Sequence, residues 1–201
     1  MSLILLVGKK SSGKDTVADH LVKSGWIKVS FADNLKKSLQ ILFGLSDDQL
    51  WGDKKEEIDK EWGVSPRWLM QIVGTNILRD YIGNELSKQI IIENKQYSFS
   101  YHIKRLHQQV TDLLKQNKNV VVADARFQDE IDWGKLLNGK IIKIIRNNIK
   151  DNKYSEHKSE EINKLTNIDI IVYNNSTKES LYNKIKQLNF NQLSIESHLA
   201  I

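Results

Sequence analysis

Cysteine is absent from all 201 residues, which excludes a disulfide framework and any thiolate-held zinc or iron–sulfur cluster. The absence suits a reducing compartment without demonstrating one. No apolar run approaches the roughly 20 residues that a membrane-spanning helix needs. The first run, residues 3–7, stops at Gly8 and is too short for a signal peptide. A soluble, cytoplasmic protein is therefore expected, in the host cytoplasm if the source is viral. Arginine is scarce too, at five of the 30 basic residues, against 25 acids. The lysines alternate with acids along residues 54–60 and 150–161, as on a solvated surface, and form no basic stripe for nucleic acid. Neither a nucleic-acid polymer nor a membrane is expected as a partner, and a homodimer is compatible with the sequence. In so lysine-rich a chain an arginine marks a place where a planar, two-pronged donor is useful. Arg67, Arg79, Arg126 and Arg146 fall in the segments discussed below, whereas Arg105 reads as surface.

At 40% hydrophobic residues the chain can build a full core without metals or cross-links. Residues 3–7 form a continuous apolar run, as expected of a strand buried on both faces. Helix is predicted over 13–23 and strand over 26–31. Asp33 is expected to cap a helix that carries Leu35, Leu39 and Leu42. Ser65 and the only proline, Pro66, mark a helix start. Apolar residues from Ile103 to Leu114 recur at helical spacing. Strands over 120–123, 140–145 and 168–173 alternate with helices over 128–137 and 178–188. Five strands separated by helices imply an α/β fold of three layers, a parallel sheet with helices on both faces. Residues 93–101 and the tail from 191 carry no assignable pattern.

Gly8, Lys9, Lys10, Ser11, Ser12, Gly13 and Lys14 follow the first strand and open a helix. In that context the spacing is that of a phosphate-binding loop. The glycines let successive amides turn inward around phosphate oxygens, and the helix start adds a favourable dipole. Lys14 is expected to project into a solvent-filled cradle and reach the β and γ phosphates. The usual hydroxyl after the lysine is replaced by Asp15, with Thr16 next. Two readings stand: Asp15 serves a magnesium ion directly or through water, or it caps the helix and Thr16 serves the metal. Residues 120–123 deliver Asp124 to the C-terminal edge of the sheet, where open α/β folds bind ligands. There it either orients the metal or is a structural carboxylate. Arg126 follows as a candidate phosphate clamp.

The loop combined with Phe31, Ala32, Asp33, Asn34, Leu35 and Lys36, with Pro66 to Gln71 followed by Gly74 and Thr75, and with Asp124, Ala125, Arg126 and Phe127 resembles the deoxynucleoside monophosphate kinases of bacteriophages and large DNA viruses. Arg146 and the later His157, Lys158, Ser159 and Glu160 are similar as well, and the likeness runs in order to about Tyr182. The resemblance implies a P-loop kinase domain over 1–201, akin to adenylate and thymidylate kinases, with sheet order 2-3-1-4-5. It implies a helical acceptor-binding arm at about 44–100 and a lid at about 146–163.

It further implies ATP as donor, Mg2+, and a deoxynucleoside monophosphate acceptor converted to the diphosphate for DNA synthesis. Residues 8–16 would hold the nucleotide, and Asp15 and Asp124 the metal. Asp33, Lys36, Arg67, Trp68, Gln71, Arg79 and Arg126 would hold the acceptor. Arg67 and Gln71 lie four apart and share a helix face. Taken singly, Lys36 and His157 read as surface and Trp68 as core. No general base is expected, because the acceptor phosphate is already anionic; alignment and charge stabilisation by Lys14, Arg126, Arg146 and magnesium carry the reaction. A kinase of another phosphorylated metabolite, such as phosphomevalonate, is the second reading. A nucleotide switch is weaker, since neither an Asp-x-x-Gly after the Asp124 strand nor an Asn-Lys-x-Asp box occurs.

Overall fold

Every residue of β1 (Leu3–Val7) is buried, because the strand sits between two neighbours and under helices on both faces. In the computed structural model, which describes residues 1–86, 91–92, 95–96, 99–147, 162–188 and 190, β1 pairs in parallel with two strands. On one side lies β5 (Val120–Ala125), with Leu3 opposite Val120; on the other lies β6 (Lys140–Ile145), with Ile4 opposite Lys140. The flanks are β2 (Ile27–Val29) and β7 (Ile170–Tyr173), both parallel, giving the order β2-β5-β1-β6-β7. Counted within this sheet alone, that order is the expected 2-3-1-4-5.

Two units make up the chain: residues 1–30 with the described residues from 107 onward, and the described residues of 31–106. In the first, Ile4 and Leu6 point to one face of the sheet, as the two-residue period of a strand requires. They pack there with Val17, Ala18 and Leu21 of α1 (Lys14–Val22) and with Leu181 and Ile185 of α8 (Lys178–Gln187). Leu5 points to the opposite face, where Gly134 of α7 (Gln128–Leu136) lies against it. Trp133 of α7 is buried and its indole N–H donates to His107 Nδ1 at 3.1 Å. Strand β2 is shorter than predicted and β5 longer. Ser30 leaves the sheet to donate its hydroxyl to Asp124, so Asp124 lies within β5 rather than just after it.

The second unit is helical: α2 (Asp33–Phe43), α3 (Asp47–Leu50), a 3-10 turn (Asp53–Glu56), α4 (Pro66–Gln71) and α5 (Gly83–Leu86). Leu35, Leu39, Leu45, Leu50 and Leu69 form its core. Ser65 caps α4 by accepting from Trp68 N at 3.2 Å, with Pro66 at the first position as predicted. Other expectations need correction. Ala32, not Asp33, occupies the cap position of α2, and Asp33 is the first helical residue. Leu42 is exposed. Trp68 is 42% exposed rather than core, because α4 turns Pro66 and Leu69 inward and Trp68 points away from them. Beyond Gln71 the helix winds as a π-helix over Ile72–Ile82, a period that 3.6-residue spacing does not foresee. The unassigned 93–101 stretch contains β4 (Lys95–Gln96), antiparallel to β3 (Ile91–Ile92), and the start of α6 (Tyr101–Lys115).

The α7–β1 contact sets a stability test. A Cβ on Gly134 would stand 2.7 and 2.9 Å from the Leu5 methyls and 3.2 Å from Ile141 Cδ1. Gly134→Val forces these apart and is expected to cost about 1–3 kcal/mol, as overpacked cores do. Thermal unfolding should show a midpoint lowered by about 2–4 °C for each kcal/mol. An unchanged midpoint would mean that α7 does not lie this close to the sheet.

Candidate active site

Beyond Val7 the chain enters a turn with little room for side chains. A Cβ on Gly8 would lie 2.5 Å from the Ile144 carbonyl oxygen and 2.6 Å from Ser12 Oγ. Ser11 adopts a left-handed conformation, φ 61°, and Gly13 has φ 106°, a region that L side chains rarely enter. Ser12 N donates to Lys9 O at 3.2 Å and closes the turn, and Val17 N donates to Gly13 O at 3.0 Å as α1 begins. Strand, glycine turn and helix thus follow as the sequence predicts.

Lys14 departs from expectation. Its side chain does not project into solvent; the residue is 6% exposed. The ammonium donates to Gly8 O at 2.6 Å and Lys9 O at 2.8 Å. The charge is thereby held under the turn by the turn's own carbonyls. Asp15 is exposed and pairs with Lys28 Nζ at 3.1 Å, which also meets Asp19 at 3.0 Å. Burial works against the Lys28 cation, but its hydrogen bond to Asp19 and the Asp15 charge outweigh that and raise its pKa.

A cleft of about 350 Å³ opens beside the turn. Ser11, Gly13, Lys14, Asp15 and Thr16 line one side, and Arg146 enters from the end of β6. Asn174 and Ser176, from the connection between β7 and α8, and Lys178 and Leu181 of α8 complete it. Three cations against one carboxylate suit a polyphosphate. The sequence predicted the loop and Arg146; it did not predict Asn174, Ser176 or Lys178.

Asp124 accepts from Ser30 Oγ at 2.6 Å. Two residues on, the backbone N–H groups of Arg126 and Phe127 donate to Glu130 Oε2 at 2.7 and 3.2 Å. Glu130 is buried in the first turn of α7 and pins the backbone that carries Arg126. Reading a glutamate three residues after Phe127 as a reach-back cap would have found it.

The proposed acceptor residues other than Arg126 lie in the second unit; Arg126 lies in the first. Arg67 is mostly buried, its side chain 11% exposed, with Nε 3.6 Å from Glu56 Oε1. The Gln71 amide nitrogen is buried with no hydrogen-bond partner among the described residues. Lys36 stands 5.5 Å from the Trp51 ring centroid, a cation–π distance. Asp33 and Arg79 are half-buried and Trp68 is exposed. Most of the expected lid, including His157, lies outside the described residues.

The sequence family described as Deoxynucleotide monophosphate kinase matches residues 48–185. The chain belongs to this family. A protein of Acanthamoeba polyphaga mimivirus, provisionally named deoxynucleotide monophosphate kinase, is 41% identical over 195 residues, covering 92% of this chain and 94% of the relative. Among solved structures, dephospho-CoA kinase from Campylobacter jejuni superposes with a TM-score of 0.55 at 17% identity, covering 94% of this chain and 98% of that one. That likeness supports the fold. The deoxynucleotide monophosphate kinase match begins after the glycine turn. As a member of this kinase family the chain is a phosphotransferase acting on nucleotides, with ATP as co-substrate. Among the described residues no helix is long and apolar enough to cross a membrane.

Lys14→Ala is expected to abolish phosphoryl transfer and also to lower the unfolding midpoint, because Gly8 O and Lys9 O lose their donor. Leaving buried polar groups unpaired costs about 1–3 kcal/mol. Steady-state assay and thermal unfolding check the two effects. Near-normal turnover would show that the turn does not hold the donor.

Proposed function

We propose that this kinase moves the γ-phosphoryl group of ATP onto a deoxynucleoside monophosphate, yielding the diphosphate for DNA precursor supply in the cytoplasm. The observation that carries the reading is the cleft, where Lys14, Arg146 and Lys178 converge on a glycine turn behind a helix start. The cations meet the charge of a triphosphate, and their fixed positions stabilise it as it shifts during transfer. Family membership supplies the nucleotide acceptor class.

Among the described residues no group of three or more His, Cys, Asp or Glu side chains is placed to hold a metal. That fits magnesium, which keeps several waters and takes one or two carboxylates plus substrate phosphates. Asp15 and Asp124 are the carboxylates proposed for it, with Thr16 as the hydroxyl alternative to Asp15. When bound, magnesium would neutralise charge on the phosphate oxygens. Asp15 already pairs with Lys28, so part of its charge is engaged elsewhere.

Arg67, Gln71, Asp33, Lys36, Trp68 and Arg79 form the proposed acceptor set. A guanidinium anchored by Glu56 suits an acceptor phosphate, and a buried amide without a partner suits a base edge. Arg126, whose backbone Glu130 fixes, is proposed to meet the transferring group. The mobile charge has no need of a side-chain base, since the acceptor phosphate is itself the nucleophile. The reading calls for no nucleic-acid polymer or membrane as a partner and does not require a homodimer.

An acceptor panel with ATP tests the assignment. Deoxynucleoside monophosphates are expected to be phosphorylated, with transfer stopped by a magnesium chelator, and phosphomevalonate is expected to be inert. Transfer to phosphomevalonate but to no nucleotide would overturn it. On the acceptor side, Arg67→Lys keeps the charge but loses the two-pronged geometry. Charge-assisted hydrogen bonds are worth roughly 1.5–3 kcal/mol, so acceptor kcat/KM should fall about tenfold to a hundredfold while the KM for ATP barely moves. Equal weakening of both substrates would remove Arg67 from the acceptor set.

A further inference from the structure

Asn174 is the residue whose placement the sequence reading did not absorb. It follows β7, is 9% exposed, and its backbone N–H donates to Ile145 O at 2.7 Å, so the neighbouring strand fixes its position. From there its side-chain Nδ2 donates to Ser12 O at 2.8 Å, a buried bond across 162 residues of sequence. The same nitrogen occupies the place a Cβ on Gly13 would take, so the side chain lies flat against the turn. Ser12 does not hold this peptide itself, since its hydroxyl is buried without a hydrogen-bond partner among the described residues.

A trans peptide is planar, with its carbonyl and N–H pointing in opposite directions. Fixing the Ser12 carbonyl therefore fixes the Gly13 N–H. With the carbonyl drawn to Asn174, the amide of Gly13 is directed to the other side of the peptide, away from Asn174. Gly13 is also the residue where rotation of that plane would otherwise be easiest, having no Cβ.

We propose that Asn174 is a positioning residue of the phosphate cradle: it sets the Ser12–Gly13 peptide plane so that the Gly13 N–H is presented to a phosphate oxygen of the donor. This rests on the reading of the turn as the donor site and is independent of which acceptor is used. Preorganised donors need no reorientation when the phosphate arrives. Losing the clamp should therefore weaken donor binding rather than acceptor binding.

The test uses Asn174→Leu, which keeps the branching at Cγ and the neutrality but removes the donor, and Asn174→Ala should the bulkier leucine variant not fold. Titration with a non-hydrolysable ATP analogue is expected to give a Kd about tenfold weaker, the loss of one buried hydrogen bond. The acceptor KM at saturating ATP should stay unchanged. In a proton–nitrogen correlation spectrum the Gly13 amide of the wild type should move downfield on adding the analogue, and in the variant it should not. The exposed neighbour Asn175, whose side chain accepts from Asn147 N at 2.8 Å, provides the control, Asn175→Ala, with wild-type affinity. A folded Asn174 variant that binds the analogue as the wild type does, with the Gly13 shift intact, would overturn the proposal. A wild type that does not bind the analogue would overturn the donor-site reading, and the proposal with it.

Discussion

The chain leaving Val7 has to pass the carbonyl of Ile144 on the adjacent strand with almost no clearance. Only a residue without a side chain passes there, and the turn that follows inherits its direction from that passage. The turn then bends back beneath itself, and the Lys14 ammonium meets the carbonyls of Gly8 and Lys9. Cation, carbonyls and turn hold one another, so the geometry of the turn also seats the charge beneath it. The constraint originates in the sheet. Because β1 is flanked by β5 and β6, its C-terminal end is where the neighbouring connections diverge, and a crevice forms there by topology.

Charge is distributed around that crevice with economy. Lys14 at the start of α1, Arg146 just after β6 and Lys178 at the start of α8 converge on one cleft, whereas Lys28 is neutralised by Asp15 and Asp19 on the surface of α1. The exposed pair adds little to stability but keeps Asp15 on the β2 side of the helix. Glu130 is used differently: a buried carboxylate accepts from two backbone amides and so shapes the turn that bears Arg126.

The parts of the site that depend on neighbours in sequence were legible, because glycine spacing and strand-to-helix order are local properties. The five parallel strands and their order followed from apolar runs and the family likeness. What escaped depends on distance. Asn174 acts on a peptide 162 residues away, and nothing in the run Tyr173, Asn174, Asn175 announces a partner. The burial of Lys14 was missed because composition treats lysine as a solvent-seeking residue, while here three donors on one nitrogen found carbonyls at hand. Trp68 was expected inside by its hydrophobicity, yet Pro66 and Leu69 fix which side of α4 faces the core. The π-helix over Ile72–Ile82 lies outside any reading based on a 3.6-residue period.

The interrupted first unit has a bearing on how the chain acquires its structure. Leu3 pairs with Val120 and Ile4 with Lys140, so the first strand synthesised waits for partners more than a hundred residues downstream. The intervening helical unit, residues 31–106, is continuous in sequence and rich in contacts close along the chain, which form quickly. During synthesis it can assemble while β1 is still unpartnered, and β1 is flanked on both sides only after β6 leaves the ribosome. The most apolar strand of the protein is thus its longest-exposed one, and the helical insertion that separates it from its partners sets the length of that wait.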